Sequence, residues 1–123
     1  TILGIKMSIL RMKTNDRMSQ IVVHGNTVYL AGQVAQDSPG TSIEEQTQSI
    51  LNQIDSLLSE AGTDKSKILS ATIWLNSMSD FNEMNSVWDR WVPSGQAPCR
   101  ACVESPKLAV DHFKVEIGII AAK

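Results

Sequence analysis

Ser42-Ile43-Glu44-Glu45-Gln46-Thr47-Gln48-Ser49-Ile50-Leu51-Asn52-Gln53-Ile54-Asp55-Ser56-Leu57-Leu58-Ser59-Glu60-Ala61-Gly62 is the stretch whose reading sets the fold. Ser42 with Glu45 three residues on is a capping-box pattern: the hydroxyl accepts from a backbone N–H that the first helical turn leaves unpaired. Apolar or small residues then recur at Ile43, Thr47, Ile50, Ile54, Leu57 and Ala61, and Leu51 and Leu58 widen the stripe. That period predicts a helix with one buried face. Gly62 stands where a left-handed residue would end it.

On either side of this helix the chain reads as strands. Upstream, Ser8–Met12 is expected as an edge strand, and Ile21–His24 and Thr27–Ala31 flank a Gly25-Asn26 turn as a hairpin. Gln36–Thr41 has the Pro and Gly of a loop. Downstream, Ile68–Leu75 has the β-branched and aromatic content of a strand. A second helix is expected from Asp80 and Glu83, another capping-box pair, with Phe81, Met84, Trp88 and Trp91 at helical spacing and Pro93 and Gly95 ending it. Trp88 and Trp91 read as core or as the rim of a cleft. Two last strands, Cys99–Glu104 and Phe113–Ala121, flank a loop around Pro106. Helices that return the chain to a shared sheet fall on one face by the right-handed crossover rule. Thr72, Trp74 and Asn76 give the other face a mixed polarity that self-association would cover, so a homo-oligomer is expected.

The chain has 123 residues, 42% hydrophobic and 20% charged, with a formal charge of −2. That length fits a single domain over 1–123, large enough to fold on its own core. The apolar fraction excludes disorder, and Ile117–Ala122 is far too short an apolar run to span a membrane. The near-neutral balance argues against a nucleic-acid partner. Thr1–Lys6 precede Met7 and read as a cloning remnant or an alternative start. Thr1–Leu10 lacks the length and cleavage site of a secretory leader, and two cysteines fit a reducing compartment, so a cytoplasmic protein is expected.

His24 and His112 stand alone, with no zinc-ligand spacing, and no GxSxG, GxGxxG or P-loop is present. Cys99 and Cys102 make a CxxC, but on a strand they point to opposite faces and share neither a disulfide nor a metal. The same alternation puts Arg100, Cys102 and Glu104 on one face of their strand and Glu116, Gly118 and Ile120 on one face of the last strand. Read as neighbouring strands, these offer Arg100 and Glu116 either as a salt bridge or as a ligand site. In the second case the guanidinium grips a carboxylate in two-pronged fashion and Glu116 holds a water or a proton.

Ala97-Pro98-Cys99-Arg100-Ala101-Cys102-Val103-Glu104 and Lys114-Val115-Glu116-Ile117, with Tyr29-Leu30-Ala31-Gly32-Gln33, Ala61-Gly62, Asp80-Phe81 and Asn85, resemble the Rid family (reactive intermediate deaminases, long called YjgF proteins). The resemblance runs from about Gln20 to the C-terminus. It implies a chorismate-mutase-like α+β fold with a mixed sheet and two helices on one face. It also implies a homotrimer with sites in the clefts between subunits. The implied reaction is hydrolysis of 2-imino and 2-enamino acids to 2-keto acids and ammonia, with no cofactor and no metal. Matched residue by residue, Arg100 takes the role of the carboxylate-binding arginine and Glu116 that of the water-positioning glutamate. Cys102 lines the pocket with its backbone, and Gly32 is the glycine at the hairpin exit. The chain departs from the family pattern at Met18, where many members have tyrosine, and at Ala31, where they have serine; both changes bear on substrate range. About one extra residue falls between Arg100 and Glu116, in the Pro106–His112 loop. Beside the deaminase stands a second reading, a non-catalytic module in which Arg100 binds a 2-keto acid or similar carboxylate. RNA binding or cleavage is a weaker third.

Overall fold

A computed structural model describes residues 8–38 and 40–123. The reading of Thr1–Lys6 lies outside these residues, as does Pro39 of the expected loop. The strands are β1 (Ile9–Thr14), β2 (Ser19–His24), β3 (Thr27–Val34), β4 (Ile68–Leu75), β5 (Cys99–Glu104) and β6 (Val115–Ala122). The helices are α1 (Ile43–Glu60) and α2 (Phe81–Trp91).

The six strands form one sheet in the order β1-β2-β3-β6-β4-β5. Only β4 and β5 pair in parallel; the other four pairings are antiparallel. The chain thus has an α+β fold with a mixed sheet. The segments β3-α1-β4 and β4-α2-β5 are crossovers between parallel strands, which places both helices against the same face. Between helices and sheet lies the core: Ile21, Val28, Ile73, Leu75 and Ile117 from the sheet meet Ile50, Leu51, Ile54, Leu58, Met84 and Val87 from the helices, all at most 1% exposed. Each such side chain contributes roughly 1.5–3 kcal/mol by leaving water. Trp88 and Trp91 belong to this core, and Trp91 Nε1 donates to Asp55 Oδ2 at 3.1 Å.

The helix ends follow their local chemistry. Ser42 Oγ accepts from the Glu45 N–H at 3.1 Å. At the other end Thr63 N–H donates to Leu58 O and Gly62 N–H to Ser59 O, the paired bonds of a Schellman stop, with Gly62 at φ +82°. The capping box expected at Asp80 does not form. A 3-10 turn, Met78–Asp80, leads into α2, and Asp80 makes no side-chain cap bond. In the hairpin turn only Gly25 takes a positive φ, +60°, the pattern of a type II′ turn.

One buried side chain ties α1 to the start of β6. Gln46, 0% exposed, donates from Nε2 to His112 O at 2.9 Å and accepts at Oε1 from Lys114 N–H at 2.9 Å. Asn76 N–H adds a bond to Lys114 O at 2.9 Å. The strand that carries Glu116 is therefore fixed in register two residues before it.

Candidate active site

The strand registers decide where Arg100 and Glu116 point. On β4, Ala71, Ile73 and Leu75 are buried against the helices, whereas Ser70, Thr72 and Trp74 face the other way. Arg100 pairs with Ala71 and Cys102 with Ile73, so both lie on the helix-covered face. Glu116 pairs with Trp74, on the open face. Reading β5 and β6 as neighbours is therefore corrected: β4 lies between them, a lateral offset of roughly 10 Å at the usual strand spacing. The salt bridge between Arg100 and Glu116 is excluded within one chain, because period-2 alternation sets the two side chains on opposite faces.

Arg100 rests on α2. Its Nη1 donates to Asn85 Oδ1 at 2.7 Å, and its guanidinium lies 5.4 Å from the Trp88 ring centroid and 5.9 Å from that of Phe81. Asn85, Phe81 and Trp88 follow one another at the three- and four-residue spacing of a single helix face. One nitrogen is thus committed and the cation is held over two aromatic faces, while the side chain remains exposed. Cys102 packs beside the core. Burial pushes its thiol up, and Arg100 pulls in the opposite direction more weakly. The net shift favours the neutral thiol over the thiolate. Cys99 is exposed and faces the other side, as the alternation required, and both cysteines are free.

Glu116 stands in a different place. Between Leu30 and Gln33 the β3–β6 register shifts, so Ala31 and Gly32 together oppose Gly118. A Cβ on Gly32 would collide with Glu116 Oε2, so the missing side chain is the space the carboxylate occupies. Burial raises the Glu116 carboxyl above its ordinary value. The cavity around it holds about 490 Å³, within the range of small-molecule sites. Met18, Val34, Ala109, Val110 and Phe113 form its apolar wall, and Gln20, Gln33, Gln36 and Gln53 its polar one. Gln20, Gln33 and Gln53 also border a neighbouring cavity of about 300 Å³ beside Lys13 and Leu57.

The structure thus gathers Met18, Gly32 and Glu116 in one cavity, with Ala31 adjoining through the bulge, and leaves Arg100 and Cys102 on the far side of β4. Sequence reasoning missed Asn85 as the partner of Arg100, although it had singled the residue out, and missed the glutamines. Gln20, Gln33, Gln36 and Gln53 come from separate segments of the chain, and nothing in their spacing signals that they meet. Among the described residues no group of three or more His, Cys, Asp or Glu side chains is placed to hold a metal ion. No helix among them is long and apolar enough to cross a membrane.

The fold and site together define a class: an α+β chain with one helix-backed mixed sheet and a carboxylate set over a glycine bulge. The family model described as Endoribonuclease L-PSP matches residues 8–123. A RutC family protein of Haemophilus ducreyi is 43% identical over 114 residues, 93% of this chain and 96% of that one. The RutC family protein YoaB of Escherichia coli is 42% identical over 116 residues, 94% of this chain and 99% of that one. The crystal structure of a YjgF family member from Neisseria meningitidis superposes with a TM-score of 0.91 at 43% identity, covering 95% of this chain and 96% of that one. The chain belongs to the Rid family, also called YjgF or RutC.

Proposed function

We propose that the chain hydrolyses 2-imino and 2-enamino acids to 2-keto acids and ammonia, at a site that Glu116 of one copy and Arg100 of another complete together. The observation that carries this reading is the placement of the two groups on opposite faces of one sheet. Each is held ready by its own neighbours, Arg100 by Asn85 and Trp88, Glu116 by the gap at Gly32. A second copy is also what the open face asks for, since Tyr29 and Ile120 lie there 43% and 36% exposed beside Trp74 and Gly118. The assembly the family resemblance implies is a homotrimer.

The chemistry needs little more than position. An iminium carbon is already electrophilic, so holding the substrate carboxylate on the guanidinium and a water on Glu116 converts a chance encounter into an oriented attack. Water adds to the carbon while Glu116 takes its proton, giving a carbinolamine. Glu116 returns that proton to nitrogen, the C–N bond breaks, and the hydroxyl proton departs with the ammonia as ammonium. The water oxygen becomes the keto oxygen. A carboxyl raised by burial suits this exchange, because its proton affinity lies closer to neutral pH than that of an exposed glutamate.

The test is keto-acid release from imines generated in situ by an amino-acid oxidase. The parent chain is expected to accelerate release, Arg100→Lys to lose both binding and turnover, and Glu116→Ala to lose turnover while still binding a 2-keto acid. Unaccelerated release with retained keto-acid binding would favour the carboxylate-binding module. RNA cleavage, the activity in the family model's description, serves as the control reaction and is expected to be absent.

A further inference from the structure

The glutamine side of the Glu116 cavity is a hydrogen-bonded pair with half its capacity unused. Gln33 is 6% exposed, and its Nε2 donates to Ala31 O at 3.0 Å and to Gln20 Oε1 at 2.9 Å. A backbone carbonyl can only accept, so the Ala31 contact fixes which end of the Gln33 amide is nitrogen. That assignment spends both Nε2 hydrogens and in turn fixes Gln20 with its oxygen towards Gln33. Two groups are left over. Gln20 Nε2 is a donor and Gln33 Oε1 an acceptor, and neither has a hydrogen-bond partner among the described residues. They lie on neighbouring amides in the cavity that holds Glu116.

Resting on the deaminase reading, we propose that the Gln20–Gln33 pair is a specificity subsite for a side-chain carboxamide, so that the preferred 2-imino acids carry a neutral amide and not a plain hydrocarbon chain. One donor beside one acceptor is the complement of a primary carboxamide, whose oxygen would accept from Gln20 Nε2 and whose NH₂ would donate to Gln33 Oε1. A side-chain carboxylate fits less well, because it offers no donor to Gln33 and would share a part-buried cavity with Glu116. A hydrocarbon chain leaves both amide ends unpaired, and sites built to hydrogen-bond a substrate reject such analogues through their own unpaired groups.

The experiment compares the imines of asparagine and leucine, near-equal in shape, each scored as acceleration over its uncatalysed hydrolysis. The parent chain is expected to favour the asparagine imine by about tenfold in kcat/KM, the discrimination of one good polar contact. Gln20→Glu keeps the acceptor for Gln33 and removes the free donor; Gln20→Leu removes both. In each variant the ratio is expected to fall towards one, with folding checked by circular dichroism. Equal acceleration of both imines by the parent, or a preference that survives in both variants, overturns the subsite and leaves the deaminase reading standing. Absence of acceleration for these imines and for that of alanine overturns both.

Discussion

A methyl group on Gly32 would run into the Glu116 carboxylate, although the Gly32 backbone lies outside the left-handed region and would accept any residue. Gly32→Ala is therefore expected to displace Glu116 and cut kcat by on the order of 10²-fold, the usual cost of a misplacement of about 1 Å. The stability cost should largely vanish in a Glu116→Ala background, where nothing is left to collide with; a double-mutant cycle of melting temperatures checks this. Glu116 itself carries a pH signature. Its raised value means the folded state holds that proton more tightly than the unfolded chain does. Stability attributable to this group thus falls as pH rises from the ordinary carboxylate range through the raised value, and the ionised form is a cost at neutral pH. Glu116→Gln should raise the melting temperature at pH 7 and lose that advantage at pH 4. The parent's kcat/KM should fall on the acid side through the raised value. Arg100 and Glu116 were both legible as residues, because each is an ionisable group among mostly small or apolar strand neighbours. Their partners were not: whether a glycine admits a carboxylate, or an asparagine 15 positions upstream caps a guanidinium, depends on distances that period-2 spacing does not contain.

The strand that presents Glu116 is anchored by a buried polar side chain, Gln46. Gln46→Ala would leave His112 O and Lys114 N unpaired and open a cavity beside α1, at a cost of about 2–4 kcal/mol. Urea midpoints measure this. Gln46→Glu, which keeps the acceptor for Lys114 and loses the donor to His112, should fall between it and the parent. Helix α1 was the most legible element, since Ser42, the apolar stripe and Gly62 all agree with its course from Ile43 to Glu60. The cap at Asp80 was misread because Ser77 and a 3-10 turn handle the approach to α2, and local sequence does not distinguish a box from a turn that merely resembles one. Strand adjacency was beyond sequence reach for a related reason. β6 is last in the chain yet pairs between β3 and β4, a long-range placement that buries Ile117 and Ile119 on the helix-covered face. β4 in turn lies between β6 and β5 and separates Glu116 from Arg100.

For the whole molecule, one sheet with two helices on a single face leaves the opposite face, with Tyr29, Trp74 and Ile120, half-covered at best. On the deaminase reading proposed above, such a chain carries one half of a binding site on each face, and self-association joins the halves. Substitution of Tyr29 or Ile120 by a charged residue is expected to weaken assembly and activity together, seen as a smaller particle in sedimentation and a matching loss of rate. The most direct test mixes two dead variants. Arg100→Ala and Glu116→Ala are each expected to be inactive alone. Co-refolded in equal amounts, they form mixed oligomers in which some interfaces pair an intact Arg100 with an intact Glu116, and about a quarter of the parent rate should return on random mixing. A mixture that forms mixed oligomers by native mass spectrometry and stays as inactive as either variant would contradict a site shared between copies.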